Sequence, residues 1–163
     1  MLVNSYLSKI LLTFCVSMMP VLELRGAIPV GVANGLDLWT AIGVSIIGNL
    51  VPVPFIIIFI RKIFAWMKKV NKKFHALVEK LENRAEEKSE VVLKYAFWGL
   101  VVLVAIPLPG TGAWTGALVA AMLNMRLKKA FPAIALGVLI AAVIVSFATY
   151  GVGELLFYWT IDN

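Results

Sequence analysis

Cysteine and histidine are almost missing from this sequence of 163 residues, where Cys15 and His75 are the only examples. A single cysteine excludes an intrachain disulfide, and we expect Cys15 to be a small buried hydrophobic residue. One histidine and no cysteine pair leave no ligand set for a zinc-type metal site, and no HExxH or GxSxG motif occurs. We therefore predict that the chain is not an enzyme and that it holds no metal or other cofactor.

Charge is also scarce, since only 15% of the residues are charged while 61% are hydrophobic. A soluble domain of this size is typically ~45–50% apolar. The mean hydropathy of +0.93 predicts that lipid is the solvent for much of the surface. We expect a single all-α integral membrane domain over 1–163, multi-pass in the inner (plasma) membrane. The net charge of +6 lies mostly in one segment beside apolar ones. That distribution favours contact with membrane lipids over nucleic acid.

Two stretches are suited to cross a bilayer as single helices. Residues 38–60 and 130–151 carry no charge and are long enough for the ~20 residues of a spanning helix. Pro52 and Pro54 are expected to kink the first span. Pro132 lies near the start of the second, where a missing N–H costs least.

A third apolar stretch, 95–125, has an unusual length. It is too long for one span and too short for two, and a strong helix breaker, Pro107-Leu108-Pro109-Gly110-Thr111-Gly112, divides it. This pattern predicts a re-entrant hairpin, two short helices that meet near mid-membrane and return to the same face. Residues 4–32 have a similar design, with an apolar arm to Met19 and a break over 20–31.

The basic residues predict the topology. Ten of the fifteen Lys and Arg residues lie in 61–94, and Arg126, Lys128 and Lys129 follow the second hairpin. The positive-inside rule places both groups in the cytoplasm, which requires 95–125 to enter and return. The fold is then two inverted repeats, 1–60 and 95–151, each a re-entrant hairpin followed by a transmembrane helix. An amphipathic basic linker, 61–94, joins them, and an interfacial tail, 152–163, follows.

Glu23 and Arg25 are charged residues inside an apolar region, where charge is costly and functional by default. In an irregular hairpin apex, both could face a cavity. The alternative is an internal ion pair that only holds the first hairpin closed. Both interpretations stay open at this point.

The second apex offers a different kind of site. A helix that starts after Gly110, Thr111 and Gly112, with Thr115 in its first turn, presents unpaired N–H groups and a positive dipole end. Such a helix start binds anions, and we expect no opposing carboxylate there. The alternative is that the glycines only permit close backbone approach.

Other residues could contribute to a site or only to packing. Trp114 either lines a substrate cavity or faces lipid, and Asn49 is a polar group in the first span that needs a partner. Ala133, Gly137 and Ala141 form a stripe of small residues. This stripe predicts helix packing within the fold or between protomers, so a homo-oligomer stays open.

The segments ELRGAIPVG (23–31) and PLPGTGAWTGAL (107–118) resemble those of the small multidrug export protein family. The order of elements covers nearly the whole chain. That family in turn resembles the DedA superfamily, which implies paired re-entrant hairpins, each followed by a span. The spacing of Arg25, Pro29 and Gly31 is similar to a DedA arginine–proline–glycine motif. The resemblance implies lipid-phosphate flipping or proton-coupled drug resistance. Gly110 departs from DedA apexes, which often have an acidic residue nearby.

Together these features predict a membrane transporter of DedA-like architecture that moves an anionic amphiphile, such as a lipid phosphate. Glu23 is the expected proton-responsive group, and Arg25 the expected partner of an anionic head. The alternatives are a small multidrug exporter of cationic drugs, or an uncoupled lipid scramblase or membrane-organising protein. The predicted partners are membrane lipids, a small-molecule or lipid substrate, and protons. The predicted substrate or proton site comprises Glu23, Arg25, Pro29, Asn49, Pro107, Gly110, Thr111, Gly112, Trp114 and Thr115.

Overall fold

The computed structural model describes residues 5–70, 89–108 and 111–151. Every regular element within these ranges is a helix, so the all-helical prediction is confirmed for this part of the chain. The helices are α1 (Tyr6–Met18), α2 (Glu23–Ala33), α3 (Leu38–Leu50), α4 (Pro52–Val70), α5 (Ser89–Ala105), α6 (Ala113–Met122) and α7 (Leu127–Ser146), followed by a π-helical turn (Phe147–Gly151).

Helices α1, α2 and α3 pack against one another. We name the connection Met19–Leu22 between α1 and α2 the first turn. The irregular apex expected over 20–31 is therefore mostly helical, because α2 begins at Glu23 and contains Pro29. Small residues set the spacing. A Cβ on Gly31 would lie 3.0 Å from the Thr13 side chain and 3.1 Å from that of Ala41. This contact fixes how α1, α2 and α3 align.

Helices α3 and α4 form one long apolar rod. Asp37 caps its start, because its Oδ2 accepts a hydrogen bond of 2.9 Å from the Thr40 N–H. The hydrogen bond from Thr40 holds the pKa of Asp37 below its ordinary value. The helix is interrupted at Val51, and Pro52 begins α4 at a position where its missing N–H is tolerated. Residues Leu38–Trp66 are long and apolar enough to cross a membrane.

The charged residues after 60 do not end this rod. Helix α4 continues to Val70, so the first ten residues of the predicted linker 61–94 extend the first span. Residues 89–94 likewise belong to α5, which starts before the predicted hairpin boundary at 95. The rest of the predicted amphipathic linker, 71–88, and the predicted tail, 152–163, lie outside the described residues.

Helices α5, α6 and α7 make up the second half. Residues Leu127–Gly151 form the second helix that is long and apolar enough to cross a membrane. A Cβ on Gly137, near the middle of this helix, would lie 2.9 Å from the Val101 carbonyl and 2.6 Å from the Val104 Cβ. The stripe of small residues Ala133, Gly137 and Ala141 is buried, and at Gly137 it packs closely against α5 of the same chain.

The outer surface of the described chain is apolar, with Trp39, Phe55, Phe59, Val143 and Phe147 all exposed. The interior is also mostly apolar, with Leu24, Ile28 and Ile134 fully buried, and it contains in addition many small residues and a few polar ones. In water such a surface marks an interaction site, whereas in a bilayer it is the ordinary surface of a helical protein.

Cys15 lies on this outer surface, so the expectation that it is buried was wrong. The buried residues of α1 are Thr13, Val16 and Ser17, and Cys15 lies on another face of the helix. Because lipid is as apolar as a protein core, hydrophobicity alone does not tell which face is buried.

Candidate functional site

The residues that flank the first turn contact the break between α5 and α6. We name residues 106–112, between α5 and α6, the second turn; Pro109 and Gly110 of this turn are outside the described residues. The end of α5 packs at Val104 against Gly137, near the middle of the long α7 helix. The second turn therefore lies beside the centre of a membrane-length helix, and Arg25 and Glu23 of α2 contact it there.

Arg25 binds the carbonyl groups that follow the last turn of α5. Its Nη1 donates a hydrogen bond to the Leu108 carbonyl. Its Nη2 donates two hydrogen bonds, both of 3.0 Å, to the Ile106 carbonyl and to Thr111 Oγ1. The last carbonyls of a helix have no partner within it and carry partial negative charge. The guanidinium matches this charge with several donors in one plane.

Thr111 completes this end of the second turn. Its hydroxyl lies 2.7 Å from the Ile106 carbonyl and 2.8 Å from the Leu108 carbonyl, the same two groups that bind Arg25. Pro107, which has no N–H, lies between these two residues. The side chain of Arg25 and the hydroxyl of Thr111 thus hold the backbone just beyond the last helical hydrogen bond of α5, which runs from the Ile106 N–H to the Val102 carbonyl.

Glu23 binds the other side of the break, the start of α6. Its Oε1 accepts a hydrogen bond of 3.2 Å from the Trp114 N–H, and the side chain is buried. The expectation that the second apex has no opposing carboxylate was therefore wrong. Glu23 has φ +48°, in the left-handed region. That conformation costs a non-glycine residue roughly 1–3 kcal/mol and is held by the surrounding contacts.

Gly112 precedes α6 and lies directly against this carboxylate. A Cβ at this position would fall 1.9 Å from Glu23 Oε2, and the φ of +132° is one that other residues rarely adopt. The glycine thus permits close approach, as one of the two interpretations held. The approaching group is a carboxylate from the first half rather than another helix.

Trp114 makes a third link between the two halves. Its indole Nε1 donates a hydrogen bond of 3.1 Å to the Met18 carbonyl, at the end of α1. Backbone groups at three helix ends therefore find hydrogen-bond partners in the region where the two halves meet. The carbonyl end of α5 binds Arg25, that of α1 binds Trp114, and the N–H end of α6 binds Glu23. Sequence reasoning missed the Met18 carbonyl, because a backbone acceptor has no signature in the sequence.

The remaining predicted residues have different positions. Pro29 lies inside α2, one turn after Arg25, and Thr115 lies in the first turn of α6. Gly110 is outside the described residues.

Asn49 is fully buried in the last turn of α3, together with Ser45 one turn earlier. Neither amide atom of Asn49 and no atom of the Ser45 hydroxyl has a hydrogen-bond partner within the described residues. The contact between Gly31 and Ala41 aligns α2 and α3 as antiparallel neighbours. Counted along the two helices from this contact, Asn49 lies about level with Glu23, since each is eight residues away from it.

Two membrane-length helices, an apolar outer surface and a buried carboxylate at a broken helix end define an all-helical membrane protein. A model of the family described as "Putative small multi-drug export protein" matches residues 23–144, about three quarters of the chain. The chain belongs to this family, whose description is that of an export protein and not of an enzyme. The resemblance stated from the two motifs is thereby confirmed for this family. Neither the curated proteins nor the solved structures contain a match to the chain.

Proposed function

We propose that this protein moves an anionic amphiphile, such as a lipid phosphate, across the membrane, and that Glu23 exchanges a proton in each cycle. The observation that carries the proposal is the hydrogen bond from the Trp114 N–H to the Glu23 carboxylate at the start of α6. This bond supports the proposal because an ionisable group then lies at the N–H end of a helix, where anions bind, in the contact that joins the two halves of the protein.

Helix lengths support the predicted re-entrant architecture. Helix α1 has 13 residues, α2 has 11 and α6 has 10, and the apolar part of the 17-residue helix α5 is Tyr95–Ala105, which is 11 residues. At 1.5 Å per residue, each is about 15–20 Å long, well short of the ~30 Å hydrocarbon core. Arg61 of α4 donates a hydrogen bond to the Met125 carbonyl, just after α6. Helix α6 thus extends from the centre of the molecule to the basic end of α4.

This geometry supports the predicted topology as well. The basic residues after 60 and those after 125 lie at the same end of the molecule, so the second hairpin would enter and leave the membrane on one side. The positive-inside rule assigns this side to the cytoplasm. The first hairpin would then open to the opposite side. Two such hairpins of opposite orientation, meeting at mid-depth, are the arrangement of an inverted-repeat transporter.

Competition for one set of donors provides a coupling mechanism. A phosphate or carboxylate head resembles the Glu23 carboxylate in charge and in its acceptor oxygens. When Glu23 takes up a proton, its hydrogen bond to the Trp114 N–H weakens, and the start of α6 becomes available to the head group. Arg25, bound to the neighbouring carbonyls, supplies a second positive group. In this scheme one proton is bound for each anion bound.

A second candidate is exchange of protons for a cationic drug, which agrees with the family description. One observation favours it: among the described residues, Glu23 is the only buried carboxylate, and Trp114 lies beside it. A cation that binds near an acid and an aromatic ring would compete with the proton for Glu23. The sign of the substrate charge separates the two candidates.

Transport by purified protein in liposomes tests both candidates, with a fluorescent lipid phosphate and a cationic dye as substrates under an imposed pH gradient. We expect lipid-phosphate transport that depends on the gradient, and loss of that dependence in Glu23→Gln. Arg25→Lys should slow transport about tenfold or more, because it removes hydrogen bonds to a charged group. Asp37→Asn, a change of an exposed acid, is the matched control and should behave as wild type.

Three results would contradict the proposal. Transport of the dye alone, abolished by Glu23→Gln, would establish the cationic-drug candidate. Transport of lipid without any gradient dependence, unchanged in well-folded Glu23→Gln and Arg25→Lys, would indicate a scramblase. Absence of transport for both substrates by protein that elutes as a single folded species would reject transport of these classes. Size-exclusion chromatography in detergent establishes folding for each variant.

A further inference from the structure

An open groove of about 510 Å³ lies between α4 and α6. It is lined by Pro52, Phe55, Ile56, Ile58, Phe59, Lys62 and Trp114. Among the described residues that line the groove, Lys62 is the only charged one, and the aromatic rings of Phe55 and Phe59 are largely exposed. The groove is thus apolar along its length and has a positive charge at one end.

The charged end of the groove belongs to a larger basic cluster. The hydrogen bond from Arg61 to the Met125 carbonyl brings the turn between α6 and α7 to the side of α4. It gathers residues that are far apart in the sequence at one end of the molecule. The resulting basic cluster comprises Arg61, Lys62, Arg126, Lys128 and Lys129.

This cluster has no acidic counterpart among the described side chains. The only acidic side chains described are those of Glu23 and Asp37. Glu23 binds the start of α6, and Asp37 caps the opposite end of the α3–α4 rod. The Nε of Arg61 is also buried without a hydrogen-bond partner in this part of the chain. Within the described part of the chain, this positive charge therefore has no acidic partner, and it lies beside an apolar groove.

The length of the groove matches one leaflet of a bilayer. From Pro52 to Lys62, ten residues of α4 rise about 15 Å, half of the ~30 Å hydrocarbon core. Trp114 lies at the deep end, since it is in the first turn of α6, beside the break between α5 and α6. An amphiphile with its head at Lys62 would place its chain along Phe55 and Phe59 and end near Trp114.

We propose that this groove binds an anionic phospholipid of the leaflet at the basic end, with its phosphate at Lys62 and Arg126 and an acyl chain against Phe55, Phe59 and Trp114. Basic pockets between membrane helices are suited to such head groups. Lipid binding in the groove deepens the proposed function, and the role of the groove in transport rests on that function. The groove would be the entry from the leaflet to Glu23, because Trp114 lies at its deep end and its N–H binds the carboxylate.

Fluorescence quenching of Trp114 tests this binding directly. Trp39, Trp66, Trp98 and Trp159 are replaced by Phe, and the protein is titrated in detergent with phosphatidylglycerol that carries brominated acyl chains. Brominated phosphatidylcholine is the zwitterionic comparison. We expect half-maximal quenching at a severalfold lower mole fraction of phosphatidylglycerol. Lys62→Gln and Arg126→Gln should each raise that mole fraction about fivefold, in line with the contribution of one basic residue near anionic lipid.

Lys9→Gln is the matched control, because Lys9 lies near Gly35 at the other end of the molecule, and it should leave quenching unchanged. Equal quenching by both lipids, or quenching by phosphatidylglycerol that Lys62→Gln does not alter, would overturn the inference. If the protein with one tryptophan does not fold, the shift in unfolding temperature of otherwise unaltered protein with the two lipids decides the same question. Glu23→Gln should keep this binding, so failure of the transport proposal would leave the quenching result intact.

Discussion

The carboxylate of Glu23 and the backbone of Gly112 are in direct contact where the two halves of the protein meet, so that a Cβ on Gly112 would fall 1.9 Å from Oε2. This contact brings the first residue of α2 to the residue that precedes α6. A buried acid and a glycine with positive φ thereby form one structural unit, although 89 positions separate them in the sequence.

Gly112→Ala is expected to destabilise the protein by roughly 2 kcal/mol or more, since it combines a steric clash with an unfavourable φ. The measurement is thermal unfolding in detergent. Gly99→Ala is the matched control, because a Cβ there meets nothing within 4 Å, and it should be neutral or stabilising. In a Glu23→Ala background, Gly112→Ala should cost less, because the clash is gone. Equal costs in both backgrounds would show that the contact with the carboxylate is not the cause.

Two glycines of α3 give a second matched pair. A Cβ on Gly48 would lie 1.9 Å from Ser17 Oγ and 2.9 Å from the Phe14 carbonyl, whereas a Cβ on Gly43 meets nothing within 4 Å. Gly48→Ala should therefore cost about 1–3 kcal/mol, because α1 and α3 are forced apart. Gly43→Ala should be neutral or stabilise the helix slightly. Similar unfolding temperatures for the two variants would contradict the close packing of α1 on α3.

Asn49 is buried without a partner among the described residues, and an unsatisfied amide of this kind costs about 1–3 kcal/mol. Asn49→Leu is therefore expected to raise the unfolding temperature. Asn34→Leu is the control and should lower the unfolding temperature, because it removes the hydrogen bond of 2.7 Å that Asn34 Nδ2 donates to the Val30 carbonyl. If Asn49→Leu stabilises the protein and also slows transport, the amide serves the substrate or proton site predicted from the sequence. Destabilisation by Asn49→Leu would show that the amide has a structural partner.

Asp37 makes the start of α3 sensitive to acid. The hydrogen bond from the Thr40 N–H lowers the pKa of Asp37, so its contribution to stability is complete above the ordinary value of 3.8. It is lost as the pH falls through the lowered pKa of the folded state. The difference in unfolding temperature between wild type and Asp37→Ala should therefore be largest near neutral pH and should shrink in acid. A difference that stays constant into strong acid would exclude the carboxylate as the cap.

The sequence predicted the long helices well, because uncharged runs of spanning length have few other interpretations. It also gave reason to expect the breaks near Met19 and Pro107, where helix-breaking residues interrupt apolar runs. The end of the first span was misjudged at 60, because Arg61 and Lys62 were taken as its boundary. A helix that extends beyond the hydrocarbon core, however, readily carries such residues.

Two other features were beyond prediction for physical reasons. The exposure of Cys15 was misjudged because the lipid-facing surface of α1 is as apolar as a core, and only Thr13 and Ser17 mark its buried face. The links from Glu23 to the Trp114 N–H and from Trp114 to the Met18 carbonyl involve backbone groups, which every residue has. Residue types therefore indicated that the two turns matter, but not which helix end each charge would bind.

The two halves of the protein, which these hydrogen bonds join, are synthesised one after the other. Both charged side chains belong to the first half, and the groups that they bind belong mainly to the backbone of the second half. During synthesis, Glu23 and Arg25 leave the ribosome more than eighty residues before the second turn. The exposed ends of α5 and α6 thus reach a membrane in which their partners are already present. The first half therefore supplies the charged partners of the second, and a second half made alone would lack these side chains at its broken helix ends.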